Sequence, residues 1–172
     1  MIIHTQRLRL RPWNDMDAQE LYELARDPRI GMLCGWKPFE CIDDAHEALS
    51  TVLAAPDSYA VTLGSTGEIV GSIALRIDTD SPEATVADIG YWIGAPYWGN
   101  GYATEAGHAI IERARELGVQ MIVLKYFDGN DASRRVSEKL GFAWQSRDED
   151  VEYPLIGKRL TVHRTELVIA GR

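Results

Sequence analysis

The residues best placed to do chemistry lie between Tyr91 and Ala106, in the run Tyr91-Trp92-Ile93-Gly94-Ala95-Pro96-Tyr97-Trp98-Gly99-Asn100-Gly101-Tyr102-Ala103-Thr104-Glu105-Ala106. An apolar, strand-like segment ends here, two glycines follow at a fixed spacing, and a helical pattern begins at once. Gly99 and Gly101 have no Cβ, so the backbone can turn sharply and come close to a ligand. A loop of this kind on a helix N-terminus presents a nest of N–H groups suited to a phosphate or pyrophosphate. No acid lies between Trp98 and Ala103 to repel an anion. The pattern is not a dinucleotide fingerprint, because position 104 is Thr104 rather than glycine, and no G-K-[ST] follows to make a Walker loop. Taken alone, the loop could equally be a turn that only joins a strand to a helix.

A second stretch, Asn130-Asp131-Ala132-Ser133-Arg134-Arg135-Val136-Ser137-Glu138-Lys139-Leu140-Gly141-Phe142, reads as a short capped helix. Asn130 or Asp131 caps its start, and Gly141 ends it. Two further phrases are Thr5-Gln6-Arg7-Leu8-Arg9-Leu10-Arg11-Pro12 and Ile89-Gly90-Tyr91-Trp92-Ile93. With these four phrases in order, the chain resembles the GNAT acyltransferases. It is most similar to the branch typified by the ribosomal-protein N-terminal acetyltransferases (RimJ/RimL type). The likeness runs from about Thr5 to Leu167.

That resemblance implies an acyl-CoA donor, most often acetyl-CoA, and direct transfer of the acyl group to a primary amine. The pyrophosphate would rest on the backbone around Gly99, Asn100, Gly101, Tyr102 and Ala103, with the Thr104 hydroxyl as an added donor, beside Trp98 and the motif residue Asn130. Pantetheine would pair like an extra strand with the backbone of Tyr91 to Ile93. An N–H there would stabilise the oxyanion. Gly90 marks either a local bulge or a plain strand glycine. Arg134, Arg135 and Lys139 are candidates for the 3′-phosphate, Arg134 foremost, against the alternative of a solvated charged face. Many members place a tyrosine seven residues after the motif asparagine as the acid for the leaving thiolate; here that position is Ser137, as in the branch resembled. The base is Asp88 or Glu152, or a water chain with no single base. An amine with a pKa of about 8 to 10 needs only modest help near neutrality. Glu105 reads as a first-turn carboxylate that complements the helix dipole.

The acceptor, a protein N-terminal amine or a small amine such as a polyamine, is expected to meet segments 29–41, 78–86 and 148–158. Trp36, Phe39 and Tyr91 could shape that pocket or simply sit in the core; Trp13, Trp92 and Trp144 read as core. The donor acyl group could be larger than acetyl. A binding module that holds CoA without turnover is the competing class, and a nucleotide-binding regulatory domain is disfavoured by the missing phosphate motifs.

The bulk numbers agree. A chain of 172 residues, 45% of them hydrophobic, is expected to make one soluble domain over 1–172. Its net charge of −8 and sequence pI near 5.0 argue against nucleic acid or an anionic membrane as partner. Cys34 and Cys41 have no metal-ligand spacing and read as free thiols, so neither a metal nor a cysteine nucleophile is expected. Charges at Arg7, Arg9 and Arg11 break any leader-like start, no apolar run is long enough to span a bilayer, and a cytoplasmic monomer or homodimer is expected.

The elements that must position these groups follow from periodicity. Leu8 and Leu10 alternate with arginines as a strand ended by Pro12. A helix over 18–25 is stopped at Arg26-Asp27-Pro28. An irregular loop over 29–41 and a helix over 43–54 follow. A hairpin joins 59–63 to 69–77, a polar turn spans 78–83, and a strand runs from 85 to 93 into the loop. Next come a helix over 103–117 with a small-residue face, a buried strand over 121–127, a helix over 131–140, and strands near 142–146 and 160–169. The fold class is mixed α/β (α+β). It is a mostly antiparallel sheet of about seven strands with flanking helices, similar to the GNAT fold, whose central parallel pair splays apart.

Overall fold

Eight strands form one sheet in the computed structural model, which describes residues 1–78 and 86–169. The chain runs β1 (Ile3–His4), β2 (Leu8–Pro12), α1 (Ala18–Ala25), α2 (Pro28–Cys34), α3 (Ile42–Ser50), β3 (Ser58–Leu63), β4 (Ile69–Asp78) and β5 (Val86–Ile93). It continues with α4 (Tyr102–Glu116), β6 (Met121–Phe127), α5 (Asp131–Lys139), β7 (Ala143–Tyr153) and β8 (Lys158–Val168). The sheet order is β1-β2-β3-β4-β5-β6-β8-β7, and β5–β6 is the parallel pair among antiparallel neighbours. This is the mixed, mostly antiparallel architecture anticipated from the sequence, with an eighth strand in the two-residue β1.

The parallel pair is brief. Its register runs from Val86↔Met121 to Ile89↔Leu124 and stops there. On the other edge of β5 the ladder with β4 continues unbroken from Asp78↔Val86 to Gly71↔Ile93, so Gly90 is a strand glycine with no bulge. A Cβ at Gly90 would run into the Arg76 guanidinium. Past Ile89, β5 therefore has a partner on one side and a gap on the other.

Strand alternation sorts the side chains to two cores. Ala87 and Ile89 join Leu8, Leu10, Ile73, Ile122 and Leu124 under α4, whose Ala106, Ile110 and Ala114 are buried against them. The small-residue helix face also lets α5 come close: a Cβ at Gly107 would stand 2.6 Å from the side chain of Leu140, just past α5. On the opposite face, Trp92 packs with Trp13, Trp36 and Phe39 against Ala18, Leu21, Ala45 and Leu49 of α1 and α3.

Several expectations are corrected. Residues 28–34 are helical, not irregular: Asp27 caps the helix through the Arg29 amide, Pro28 takes the first turn, and Gly35 at φ +81 closes it. The helix placed over 43–54 ends at Ser50. The last two strands form a long hairpin of 11 residues each. Trp144 is no core residue, at 58% exposed on the outer strand β7. Residues 79–85, which hold Thr85, most of the 78–86 acceptor segment and all of the polar turn at 78–83 but Asp78, lie outside the described residues. No helix among the described residues is long and apolar enough to cross a membrane.

Candidate functional site

After β5 the chain makes a short turn at 95–97 and enters α4 through Gly99 and Gly101, at φ +80 and +79. The Glu105 amide donates to the Gly101 carbonyl at 3.1 Å and starts the helical ladder. The amides of Tyr102, Ala103 and Thr104 precede it and have no helical partner. The loop is held from outside. Asn100 Nδ2 donates to the Tyr97 and Trp98 carbonyls at 2.9 and 3.3 Å, so its side chain is spent on the turn itself. Arg7 Nη1 donates to the Asn100 carbonyl at 3.0 Å, and its guanidinium lies 4.9 Å from the Tyr102 ring centroid. Glu105 accepts from the Thr5 hydroxyl at 2.6 Å and from Arg7 N and Nε at 2.8 and 2.7 Å. Burial works to raise the Glu105 pKa, but these hydrogen bonds win and hold it below the usual carboxylate range. The negative charge on the first turn is thus matched by Arg7, which leaves the helix end electropositive.

This helix end opens onto a cavity of about 1140 Å³ that runs along the β5 gap to α2, α3 and β7. Gly99, Gly101, Tyr102, Ala103 and Thr104 line one end; Trp98, Ile93, Tyr91 and Asp88 line the strand side; Asn130, Ser133, Arg135 and Lys139 line the α5 side. The cationic groups of α5 therefore face the same space as the free amides of α4. Trp36, Phe39, Tyr153 and Leu155 line the far end. Tyr153 meets Phe127 edge-on, with centroids 4.7 Å apart.

The open edge of β5 can be read from its paired edge. The Gly94 amide donates to the Val70 carbonyl at 2.8 Å, on the β4 side. Alternation turns the backbone groups of Tyr91 and Ile93 toward the gap. The Ile93 carbonyl already accepts from the Trp98 indole N–H at 2.6 Å, and the Cys34 thiol stands 3.9 Å from the Tyr91 carbonyl. Burial pushes the Cys34 thiol up to about 12, which keeps it protonated and poorly nucleophilic.

Four of the residues singled out in the sequence do not line the cavity. Asn100 is one. Arg134 is another: it pairs with Asp131 and Glu138 on its own helix at 3.3 and 2.7 Å, while Arg135 and Lys139 face the cavity. Glu152 is 69% exposed on β7, 3.7 Å from Arg159. Ser137 is buried at 2%; its hydroxyl donates to Thr165 at 3.2 Å, which in turn donates to the Leu124 carbonyl at 2.9 Å. Asp88 does reach the cavity, between Arg76 at 3.2 Å and Lys125 at 3.7 Å. Two hydroxyls that sequence reasoning passed over meet at the gap: Tyr91 donates to Ser133 at 2.9 Å. Ser133 follows the helix cap Asn130 by three residues, a spacing visible in the sequence; Tyr91 reads from the sequence as a backbone partner and a pocket or core aromatic, not as a hydroxyl.

Comparison with known proteins agrees with this geometry. Residues 7–143 match the family described as "Acetyltransferase (GNAT) domain". The chain is 27% identical over 147 residues to the uncharacterized N-acetyltransferase YoaA of Bacillus subtilis, covering 82% of each protein. The acetyltransferase of Salmonella typhimurium that modifies the N-terminal serine of 50S ribosomal subunit protein L7/L12 superposes with a TM-score of 0.82 at 18% identity, covering 99% of this chain and 100% of that one. The microcin C7 self-immunity acetyltransferase, solved with acetyl-CoA and AMP, gives a TM-score of 0.82 at 22% identity over 96% of this chain and 94% of its own.

Proposed function

Because the chain belongs to the GNAT acetyltransferase family, we propose that it moves an acetyl group from acetyl-CoA directly to a primary amine bound in the same cavity. One observation carries this reading: the free amides of the α4 N-terminus and the unpaired edge of β5 open onto one continuous cavity. The pyrophosphate takes the amides from Gly99 to Thr104, and Arg135 and Lys139 suit the 3′-phosphate better than Arg134. Pantetheine extends along the Tyr91 edge, since the Ile93 carbonyl is occupied by Trp98. The amine attacks the thioester carbonyl; the C–N bond forms, the C–S bond breaks, and one proton passes from nitrogen to sulfur. Cys34 lines the cavity but is held as a thiol, so the transfer runs without an acyl-enzyme on it. Of the carboxylates that line the cavity, Asp44 and Glu47 belong to α3, and Asp88 is the one on β5 itself, where it can orient the amine or the water beside it. The acceptor is a protein N-terminal amine, as for the Salmonella protein, or a small amine.

Thermal unfolding with acetyl-CoA, CoA or ATP tests this reading. Ligands that bind only the folded state raise the melting temperature with concentration, by about 2.7 kcal/mol of added stability at a hundredfold excess over Kd. Stabilisation by both CoA species but not by ATP, lost in Gly101→Glu, is the expected result. An unchanged melting temperature at about 1 mM of either CoA species would refute it, because enzyme KM values typically lie between about 1 μM and 1 mM. Release of CoA thiol with spermidine and with an N-terminal-serine peptide then separates the two acceptor classes.

A further inference from the structure

The departing CoA sulfur needs a proton, and the hydroxyl that the sequence points to is not available for it. Ser137 is buried, turned toward β8, and engaged with Thr165. Ser133 stands one turn earlier on the same face of α5, since i and i+4 side chains stack on a helix. A long side chain at position 137 would lean back toward the helix N-terminus and end near Ser133. Ser137 is too short to do so. Tyr91 fills that place from the opposite wall, its phenol donating to Ser133 at 2.9 Å where β5 has parted from β6. Both residues line the cavity.

Resting on the acetyltransferase reading above, we infer that the Tyr91 hydroxyl is the group that protonates the leaving thiolate, with Ser133 as its relay. With acyl-CoA in place both hydroxyls rotate, so that Ser133 donates to Tyr91 and Tyr91 donates to sulfur; as the C–S bond breaks, the electron pair stays on sulfur and takes the Tyr91 proton. The Tyr91 oxygen regains a proton from the Ser133 hydroxyl, which is resupplied by the proton the acylated nitrogen sheds. The net change is one proton from nitrogen to sulfur, and no other reactant is consumed. Burial pushes the Tyr91 phenol up to about 12, so it holds its proton at neutral pH. Tyr126 and Tyr153 also line the cavity, with their rings packed on His163, centroids 5.0 Å apart, and on Phe127.

The decisive readout is the ionisation of CoA itself when bound, because it needs no acceptor. The thiolate absorbance of CoA in complex with the full chain is followed against pH, with desulfo-CoA as the blank. A hydroxyl that donates to the sulfur stabilises its thiolate. The bound thiol should therefore ionise about one pH unit lower on the wild type than on Tyr91→Phe, with Ser133→Ala in between and Ser137→Ala like the wild type. In turnover with acetyl-CoA, Tyr91→Phe should lose about a hundredfold in kcat with KM for acetyl-CoA within about twofold. Identical titrations for wild type and Tyr91→Phe, with CoA bound to both, would overturn this inference and leave the acetyltransferase reading standing. So would a shift carried by Ser137→Ala, Tyr126→Phe or Tyr153→Phe. Failure of CoA to bind the wild type would overturn both.

Discussion

Gly101 stands at φ +79 with open space around it; the nearest atom to a Cβ there is Arg7 Nη2 at 3.7 Å. Backbone conformation, not crowding, demands glycine, since an L residue pays a steric penalty in the left-handed region. Gly101→Ala should therefore fold, lose about 1 kcal/mol in a urea titration, and raise KM for acetyl-CoA about tenfold because the first α4 amides lose their aim. A KM unchanged from wild type would show that the loop does not hold the donor. At this scale the sequence was legible where the chemistry is local. The glycine spacing and the helix start could be read directly, and the cap narrowed to Asn130 or Asp131, of which the structure uses Asn130. Arg134 was misjudged although Asp131 and Glu138 stand three and four residues away, the spacing at which a helix pairs charges. Ser137 could not be judged from its neighbours, because its partner Thr165 lies 28 residues on and is brought to it by β8.

At the scale of elements, the start of the chain is a clamp on α4. Thr5 and Arg7 flank Glu105 from the β1–β2 turn, so a residue pair about a hundred positions apart fixes the angle at which the helix meets the cavity. Arg7 is 47% exposed, and an ion pair this open contributes at most about 1 kcal/mol to stability. Its larger effect should be on the loop. Arg7→Ala should lower the melting temperature only slightly while raising KM for acetyl-CoA about fivefold, with kcat little changed, which steady-state kinetics would check. The short helix α2 was missed although its signals were present: Asp27 as cap, Pro28 in the first turn, Gly35 as stop. A proline after a helix reads as a terminator, and here it also begins the next helix. The length of β7 was hidden because an outer strand exposed over most of its residues need not alternate apolar with polar. Its bulges near Trp144 and Asp148, and its many charges, suit an edge that should not pair with another molecule.

Across the whole molecule, the far end of α4 is tied to the sheet by Asp57. Its carboxylate accepts from Arg113 Nε at 2.9 Å and from the Tyr59 hydroxyl at 2.7 Å, and both charged side chains are mostly buried. Burial pulls the Asp57 pKa up, but the hydrogen bonds from Tyr59 and Arg113 outweigh it and set it below the usual range. A carboxyl lowered on folding adds stability above its unfolded value, near pH 4, and loses that contribution as pH falls toward the folded value. Asp57→Asn should thus cost about 1–3 kcal/mol at pH 7 and measurably less at pH 3, as urea midpoints at the two pH values would show. An equal loss at both would mean that packing, not charge, makes the tie. The sheet has a further property. Strands β1 to β5 come from residues 3–93 and strands β6 to β8 from residues 121–168, and the two blocks are joined across the sheet by four register pairs. The seam between them continues into the gap proposed to receive the donor. Cut at Gly118, the chain would fall into two pieces, each carrying one wall of the cleft. Acetyl-CoA, spanning the seam, would act as mortar between two bricks before it acts as a reagent.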